Sequence, residues 1–227
     1  MQEEIKFEKI PDYGFWKQVD PEPMKYTEEY ESRQSTTKEM SWLRLGTFFY
    51  LTEAFMKDKY RDYQNWLVCD VGSGNGTFVR EASKVFGKVC GYDLVGPSIS
   101  EEELHNIHWN AVFLTDVLEH FPDINDFFKI KSDIVFLSFP ECPEVENWED
   151  LKNWRHYKPN EHLWMLNSKG VRSWLRDNDY FSMSLPGIHI EDTIRKNPDV
   201  PHNISTVVAW HKDAVDGLSK EIDELVG

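Results

Sequence analysis

Two carboxylates and three glycines carry the first chemical signal of this chain. Asp70 stands just ahead of the run Gly72, Ser73, Gly74, Asn75, Gly76. Asp93 follows that run by about 20 residues, the separation at which an acid after the next strand can accept hydrogen bonds from both hydroxyls of a sugar. Glycines at such a bend let the chain turn sharply and let a ligand approach the backbone. A helix opening just past them points its unpaired N–H groups at the bend, where they favour an anionic group, a carboxylate in one reading and a pyrophosphate in the other.

The flanking elements fit that use. Leu67 to Val71 is apolar with no polar alternation before Asp70, as expected of a central parallel strand covered on both faces. Thr77 to Phe86 has helix composition, with Phe78, Val79, Ala82 and Val85 as a buried stripe and Gly87 as a stop. Lys88 to Tyr92 then reads as a second strand ending at Asp93. Trp66 to Asp93 is thus laid out as a nucleoside-binding β-α-β unit. A dinucleotide fingerprint needs glycine at its first, third and sixth positions, and the sixth here is Thr77, whose side chain would crowd helix against strand. The glycines fall instead at the first, third and fifth positions.

Acid, apolar, Gly-x-Gly-x-Gly resembles the first motif of the class I S-adenosylmethionine-dependent methyltransferases. The resemblance implies an α/β, Rossmann-like methyltransferase fold with a mostly parallel sheet flanked by helices, and S-adenosyl-L-methionine as cofactor. It implies cofactor contacts from Asp70, Gly72, Ser73, Gly74, Asn75, Gly76, Asp93, Leu94, Thr115 and Asp116, with Asp93 on the ribose and Asp70 on the ammonium end, directly or through water. A turn-stabilising acid and a solvated strand end are the plainer alternatives for these two.

Downstream, Ala111 to Glu119 gives a third apolar strand, and DVLEHFPD at Asp116 to Asp123 resembles the small-molecule methyltransferases of ubiquinone biosynthesis. Ile124 to Lys131 follows as a helix and Ser132 to Pro140 as a fourth strand. The segment from Glu161 is similar to the same group, with N-capping Ser168, an amphipathic helix and a polar turn into the next strand, and the last strand is Ile204 to Trp210. Only seventeen residues separate Asp93 from Ala111, too few for the helix, edge strand and loop of the full fold, so six strands are expected. The acid that contacts adenine in the family sits after the missing strand, leaving Asn106, His108 or Trp109 as substitutes.

The implied reaction is a direct displacement, in which the protein aligns a nucleophile with the sulfonium and, for a hydroxyl acceptor, removes its proton. His162, His120 and His156 are the candidate bases, ahead of Asp116 and Glu119, and each imidazole has a packing or capping alternative. Asp116, Glu119 and His120 have the spacing that places an acid pair and an imidazole on one face of a helical turn. The likeness to quinone-pathway enzymes that use a divalent metal near this motif makes a metal conceivable, but a solvated turn with a helix-starting carboxylate is favoured and no metal is expected.

Residues 1–60 read as an attachment: a charged, proline-containing arm to Pro23, then an amphipathic helix over Thr36 to Lys57 with Met40, Leu43, Phe48, Leu51 and Phe55 as its apolar face. Tyr26, Tyr30, Arg33 and Arg44 are candidates for a lid over cofactor and acceptor. Residues 61–212 form the methyltransferase domain, with an insertion at 141–160 whose Trp148, Trp154, His156 and Tyr157 are candidates for acceptor recognition, and 213–227 form an acidic tail. A chain of 227 residues that is 40% hydrophobic can bury one full core.

Forty acids against twenty-five bases give a net charge of -15, which repels a polyanion, and Lys152, Arg155 and Lys158 form the one obvious basic cluster. A small-molecule acceptor is therefore expected over nucleic acid. Methylation of a protein or nucleic acid, or a catalytically silent S-adenosylmethionine-binding interaction domain, are the alternatives. No apolar run suits a membrane span or signal peptide, which points to a cytoplasmic protein. Cys69, Cys90 and Cys142 suit neither a disulfide framework nor zinc spacing.

Overall fold

Apolar strands without a polar face must be covered on both sides, and the alternation of side chains along them decides which residues go to which cover. In the computed structural model, which describes residues 5–22, 24–27, 36–56, 62–184 and 203–215, nine strands form in chain order. They are β1 Lys6–Ile10, β2 Phe15–Val19, β3 Leu67–Val71, β4 Lys88–Tyr92, β5 Trp109–Thr115, β6 Ser132–Pro140, β7 Trp164–Met165, β8 Tyr180–Ser184 and β9 Ile204–His211. The helices are α1 Lys38–Met56, α2 Thr77–Ala82, α3 Glu101–Asn106 and α4 Ser168–Arg176.

Six strands make the main sheet, in the order β4-β3-β5-β6-β9-β8. β4, β3, β5 and β6 are parallel, and β9 runs antiparallel to both β6 and β8. The sheet is the mostly parallel, six-stranded α/β sheet expected from the sequence. One set of alternating residues, Val68, Ala111, Phe113, Ile134, Phe136 and Val208, packs with Leu45 and Phe48 of α1 and Phe78 of α2. The other set, Cys69, Val112, Leu114, Val135, Leu137 and Val207, packs with Leu104 of α3 and Trp174 of α4. Chain order moves from β3 outward to β4 and then back across to β5, so a crevice opens at the carboxyl ends of β3 and its neighbours.

Several element ends differ from expectation for local reasons. The helix expected to Phe86 ends at Ala82, where the Ser83 hydroxyl donates back to the Val79 carbonyl at 2.7 Å and the chain turns toward Gly87. The strand expected over Ala111 to Glu119 starts at Trp109 and stops at Thr115, because Asp116 takes a left-handed φ of 57°. Residues Ile124–Lys129 form a 3₁₀ turn in place of a helix to Lys131. Asn167, and not Ser168, caps α4 by accepting from the Gly170 N–H at 2.7 Å, while the Ser168 N–H and hydroxyl donate to Glu141. In α1, Met40, Phe48 and Leu51 are buried and Leu43 is half-buried; Leu45 is buried as well, and the side chain of Phe55 lies outside the described residues.

The amino-terminal segment is a hairpin where an extended arm was expected. β1 and β2 pair antiparallel, and β2 pairs with β7 to give a separate three-stranded sheet. Its apolar side, Phe7, Trp16 and Met165, joins Cys142 and Leu151 in a satellite core. Residues 212–215 form a final 3₁₀ turn, and the tail from 216 lies outside the described residues.

Candidate active site

The turn after β3 is built from backbone that only glycine adopts easily. Gly72, Gly74 and Gly76 have φ of 75°, 48° and 67°. At Gly72 a Cβ would lie 2.2 Å from Cγ2 of Val117, so the turn also packs too closely against the β5 loop for any side chain. The N–H groups of Gly72 and Ser73 donate to the Tyr92 carbonyl at 2.8 and 3.1 Å. Asp93, one residue on, accepts from the Gly74 N–H through Oδ2 at 2.7 Å. Gly91 is a requirement that sequence reasoning missed: a Cβ there would lie 2.7 Å from the Ser73 hydroxyl, so β4 passes under the turn only without a side chain.

Asp70 lies beneath this turn and is 3% exposed. Burial pushes its carboxyl up to about 7, the Arg44 guanidinium pulls it back down, and the Asp93 charge adds to the rise. Arg44 reaches it from α1 and is itself 3% exposed.

A cavity of about 760 Å³ opens at this carboxyl edge. From β3 to the loop after β5, its wall includes Gly72, Ser73, Gly74, Asp93, Leu94, Leu104, His105, Thr115, Asp116 and Val117. Glu119, His120, Arg155, His156, Lys158, Glu161 and His162 line it as well, with Tyr26, Thr36, Met40 and Arg44 also on the wall. Of the residues the sequence assigned to the cofactor, Asp70, Asn75 and Gly76 are not on the wall. Asn75 instead fastens the turn, its Oδ1 accepting from the Thr77 N–H at 3.0 Å and its Nδ2 donating to the Thr36 carbonyl at 3.3 Å, and Gly76 is the N-cap of α2.

None of the three residues suggested for the adenine reaches the cavity. Asn106 is exposed, His108 pairs with Asp133 at 2.7 Å, and Trp109 is buried with its Nε1–H donating to the Leu104 carbonyl. Leu104 and His105 of α3 line the cavity instead. The capping box of Ser100 and Glu103, a Ser-x-x-Glu signal legible in the sequence, would have placed that helix.

The wall also holds a buried polar cluster. Glu119 is 2% exposed and neither of its carboxylate oxygens accepts a hydrogen bond among the described residues. Burial, with Asp116 adding to it, drives its carboxyl well above the usual range. His120 Nε2 lies 3.9 Å from Glu119 Oε1, and its Nδ1 pairs with the Tyr26 hydroxyl at 2.7 Å. His162 Nδ1 donates to the His156 carbonyl at 2.9 Å, which leaves the lone pair on Nε2. Burial pulls His120 down to about 4 and lowers His162 further, so both rings are neutral. The sequence grouped Asp116 with Glu119 and His120 on one helical face. The left-handed Asp116 breaks that turn, and His162 is the residue that joins the pair.

The insertion divides its residues. Trp148, Trp154 and Tyr157 pack on the satellite core, and Lys152 lies over the Trp148 ring, its Nζ 4.7 Å from the centroid. Arg155, His156 and Lys158 face the cavity. This part of the wall is therefore lined by imidazoles and charges, and the tryptophans support it from behind. Of the lid candidates, Tyr26 and Arg44 are on the wall, whereas Tyr30 and Arg33 lie outside the described residues.

The profile of a family described as a methyltransferase domain matches residues 49–181. The chain belongs to this family. Solved structures similar to this methyltransferase domain include the plantazolicin methyltransferase BpumL in complex with SAH, at 13% identity and a TM-score of 0.48, covering 81% of this chain and 88% of that one. Magnesium protoporphyrin IX methyltransferase (ChlM) from Synechocystis PCC 6803 with bound SAM is similar at 13% identity and a TM-score of 0.47, covering 84% and 86%. No curated protein matches the domain. Among its described residues no helix is long and apolar enough to cross a membrane.

Proposed function

We propose that this domain binds S-adenosylmethionine and transfers its methyl group to a small molecule seated beside Glu119, His120 and His162. The observation that carries this reading is that the Gly72–Gly74 turn and Asp93 line the same cavity as the buried Glu119, His120 and His162. Its volume of about 760 Å³ falls among ligand pockets of about 300–1,000 Å³.

The cofactor supplies a methyl group on a sulfonium, and sulfur leaves as a neutral thioether. The chain's own residues bind and orient. The close-packed backbone of Gly72 to Gly74, with Arg44 beside it, suits the amino-acid carboxylate, and Asp70 below favours the ammonium. Asp93 can give up its Gly74 bond to accept from the ribose hydroxyls. Leu94, Leu104 and Val117 offer apolar faces for the adenine. On the acceptor side His162, held in one tautomer by the His156 carbonyl, presents a lone pair that can take a hydroxyl proton, and His120 stands beside it, ring centroids 4.9 Å apart. The net charge of -15 supports a small acceptor over a nucleic acid.

Calorimetry with S-adenosylhomocysteine tests the donor half: the wild type should bind, and Asp93→Ala should bind at least about tenfold more weakly. Labelled methyl groups should pass into a small-molecule fraction. No heat with S-adenosylhomocysteine would sink the reading, and label recovered in protein or RNA would replace its acceptor half.

A further inference from the structure

We propose that the methyl acceptor is a primary amine, its two N–H groups received by the Tyr26 oxygen and by Nε2 of His162 while its lone pair turns to the methyl carbon. This inference rests on the function proposed above and narrows it to one kind of acceptor atom.

Both atoms can accept a hydrogen bond from the cavity and neither can donate one. His162 Nδ1–H donates to the His156 carbonyl at 2.9 Å, and a neutral imidazole has no second proton, so Nε2 carries a lone pair. His120 meets the Tyr26 hydroxyl through Nδ1 at 2.7 Å and donates to the Glu161 carbonyl through its other nitrogen. The one proton of that neutral ring therefore points at a carbonyl, which makes the phenol the donor in the Tyr26–His120 bond. A phenol so engaged can only accept from the cavity, which Tyr26, His120 and His162 all line. Tyr26 is fixed from behind through Asn160, whose carbonyl accepts from the Met24 N–H at 3.1 Å and whose Oδ1 accepts from Gln18 Nε2 at 2.5 Å and the Glu22 N–H at 3.1 Å. The Tyr26 and His162 rings pack on the same imidazole, their centroids 6.1 and 4.9 Å from that of His120.

A hydroxyl brings one proton and satisfies one of these two atoms, and a carbon nucleophile satisfies neither, so each leaves a polar atom without a donor once water is displaced. A neutral primary amine brings two N–H donors and one lone pair. The charges agree. Burial raises the Tyr26 hydroxyl pKa, and Glu161, Glu119 and Asp93 raise it further, so acids stand around the phenol that would receive the amine. Lys158, whose charge bears on both histidines, is tied to Glu161 at 2.8 Å. The amine enters in its neutral form, its extra proton left in water. Its lone pair bonds the methyl carbon as the carbon–sulfur bond breaks and that bond's electron pair stays on sulfur. The methylammonium then passes one proton to Nε2 of His162, from which it goes on to water, and the product leaves as a secondary amine. A secondary amine has a single N–H, so a second methylation should be slower.

Two measurements test this. In protein carrying ¹⁵N-labelled histidine, long-range proton–nitrogen spectra at neutral pH should show His162 protonated on Nδ1 and His120 on Nε2, with assignments from His162→Gln and His120→Gln. Either ring charged or in the opposite tautomer overturns the proposal. A protein-free cell extract is then incubated with methyl-labelled S-adenosylmethionine and the enzyme. A second portion is first treated with formaldehyde and cyanoborohydride, which turn primary and secondary amines into tertiary amines and leave hydroxyls intact. That treatment should abolish the labelled product. Tyr26→Phe, which keeps the ring and removes the oxygen, should raise KM for the untreated extract about tenfold and leave affinity for S-adenosylhomocysteine unchanged. Labelled product that survives the treatment, or a wild-type KM in Tyr26→Phe, overturns the amine while the donor reading stands. Absence of S-adenosylhomocysteine binding sinks the donor reading, and binding with no label transferred to either portion sinks methyl transfer and this acceptor together.

Discussion

Oδ2 of Asp93 and the N–H of Gly74 lie 2.7 Å apart, joining the ends of β4 and β3 across the mouth of the crevice. Under the proposed function the same oxygen would accept from a ribose hydroxyl. Asp93→Asn keeps an acceptor for Gly74 and loses one acceptor for the sugar. Its unfolding free energy should stay within about 0.5 kcal/mol of wild type, while calorimetric affinity for S-adenosylhomocysteine falls roughly tenfold.

Gly72 and Gly76 share a left-handed φ but differ in surroundings. A Cβ at Gly72 meets Val117, and one at Gly76 meets nothing within 4 Å. Gly76→Ala should cost only the backbone strain, about 1–2 kcal/mol, and Gly72→Ala should cost about 1–3 kcal/mol more by overlap. Denaturant unfolding would show the ordering, and Val117→Ala should restore part of the loss in Gly72→Ala and none in Gly76→Ala.

Asp70 sets a pH dependence whose sign follows from its raised pKa. Its folded value is about 7 and its ordinary value 3.8. Between these the folded chain holds the proton longer than the unfolded chain does. That contribution to stability is therefore complete at low pH and declines as pH rises toward 7, by up to about 1.4 kcal/mol per unit. Asp70→Asn should flatten that segment of the stability profile. An ammonium-bearing ligand favours the ionised form, so wild-type affinity for S-adenosylhomocysteine should climb through about pH 7 and that of Asp70→Asn should not.

Arg44 is the group that holds Asp70 down. Arg44→Met preserves apolar packing on α1 and removes the charge. The pH midpoint for S-adenosylhomocysteine binding should move upward, and affinity at high pH should drop about tenfold if the guanidinium meets the ligand carboxylate.

Gly170 joins α4 to the hairpin. A Cβ there would lie 2.1 Å from the Tyr13 carbonyl and 2.7 Å from the Phe15 ring. Gly170→Ala should destabilise by about 1–3 kcal/mol and speed amide exchange at Gln18, whose N–H donates to the Leu163 carbonyl beside His162.

The glycine-turn part of the cavity was legible because its requirements are local. Gly72, Gly74 and Asp93 sit within one β-α-β unit, where spacing alone puts them at one edge. The edge strand's absence was equally readable from the seventeen residues available. The far half depends on pairings distant in sequence. Glu119 and His162 meet because Leu163 N–H donates to the Glu119 carbonyl, and no periodicity reports such a bond. The hairpin was missed because β1 alternates weakly, Phe7 being its one buried residue. Trp148 and Trp154 were read as ligand-facing since an aromatic cluster looks the same in sequence whether it backs a wall or forms one.

The satellite core of Phe7, Trp16, Cys142, Leu151 and Met165 shares no residue with the two cores that flank the main sheet. The hairpin, the insertion and the strand after His162 thus rest on a foundation of their own and are tied to the core of the main sheet through Phe15 and Trp164. Under the proposed function, repacking Phe7, Trp16 and Leu151 should alter which acceptors are taken more than it alters affinity for S-adenosylhomocysteine, since these side chains lie in the separate core.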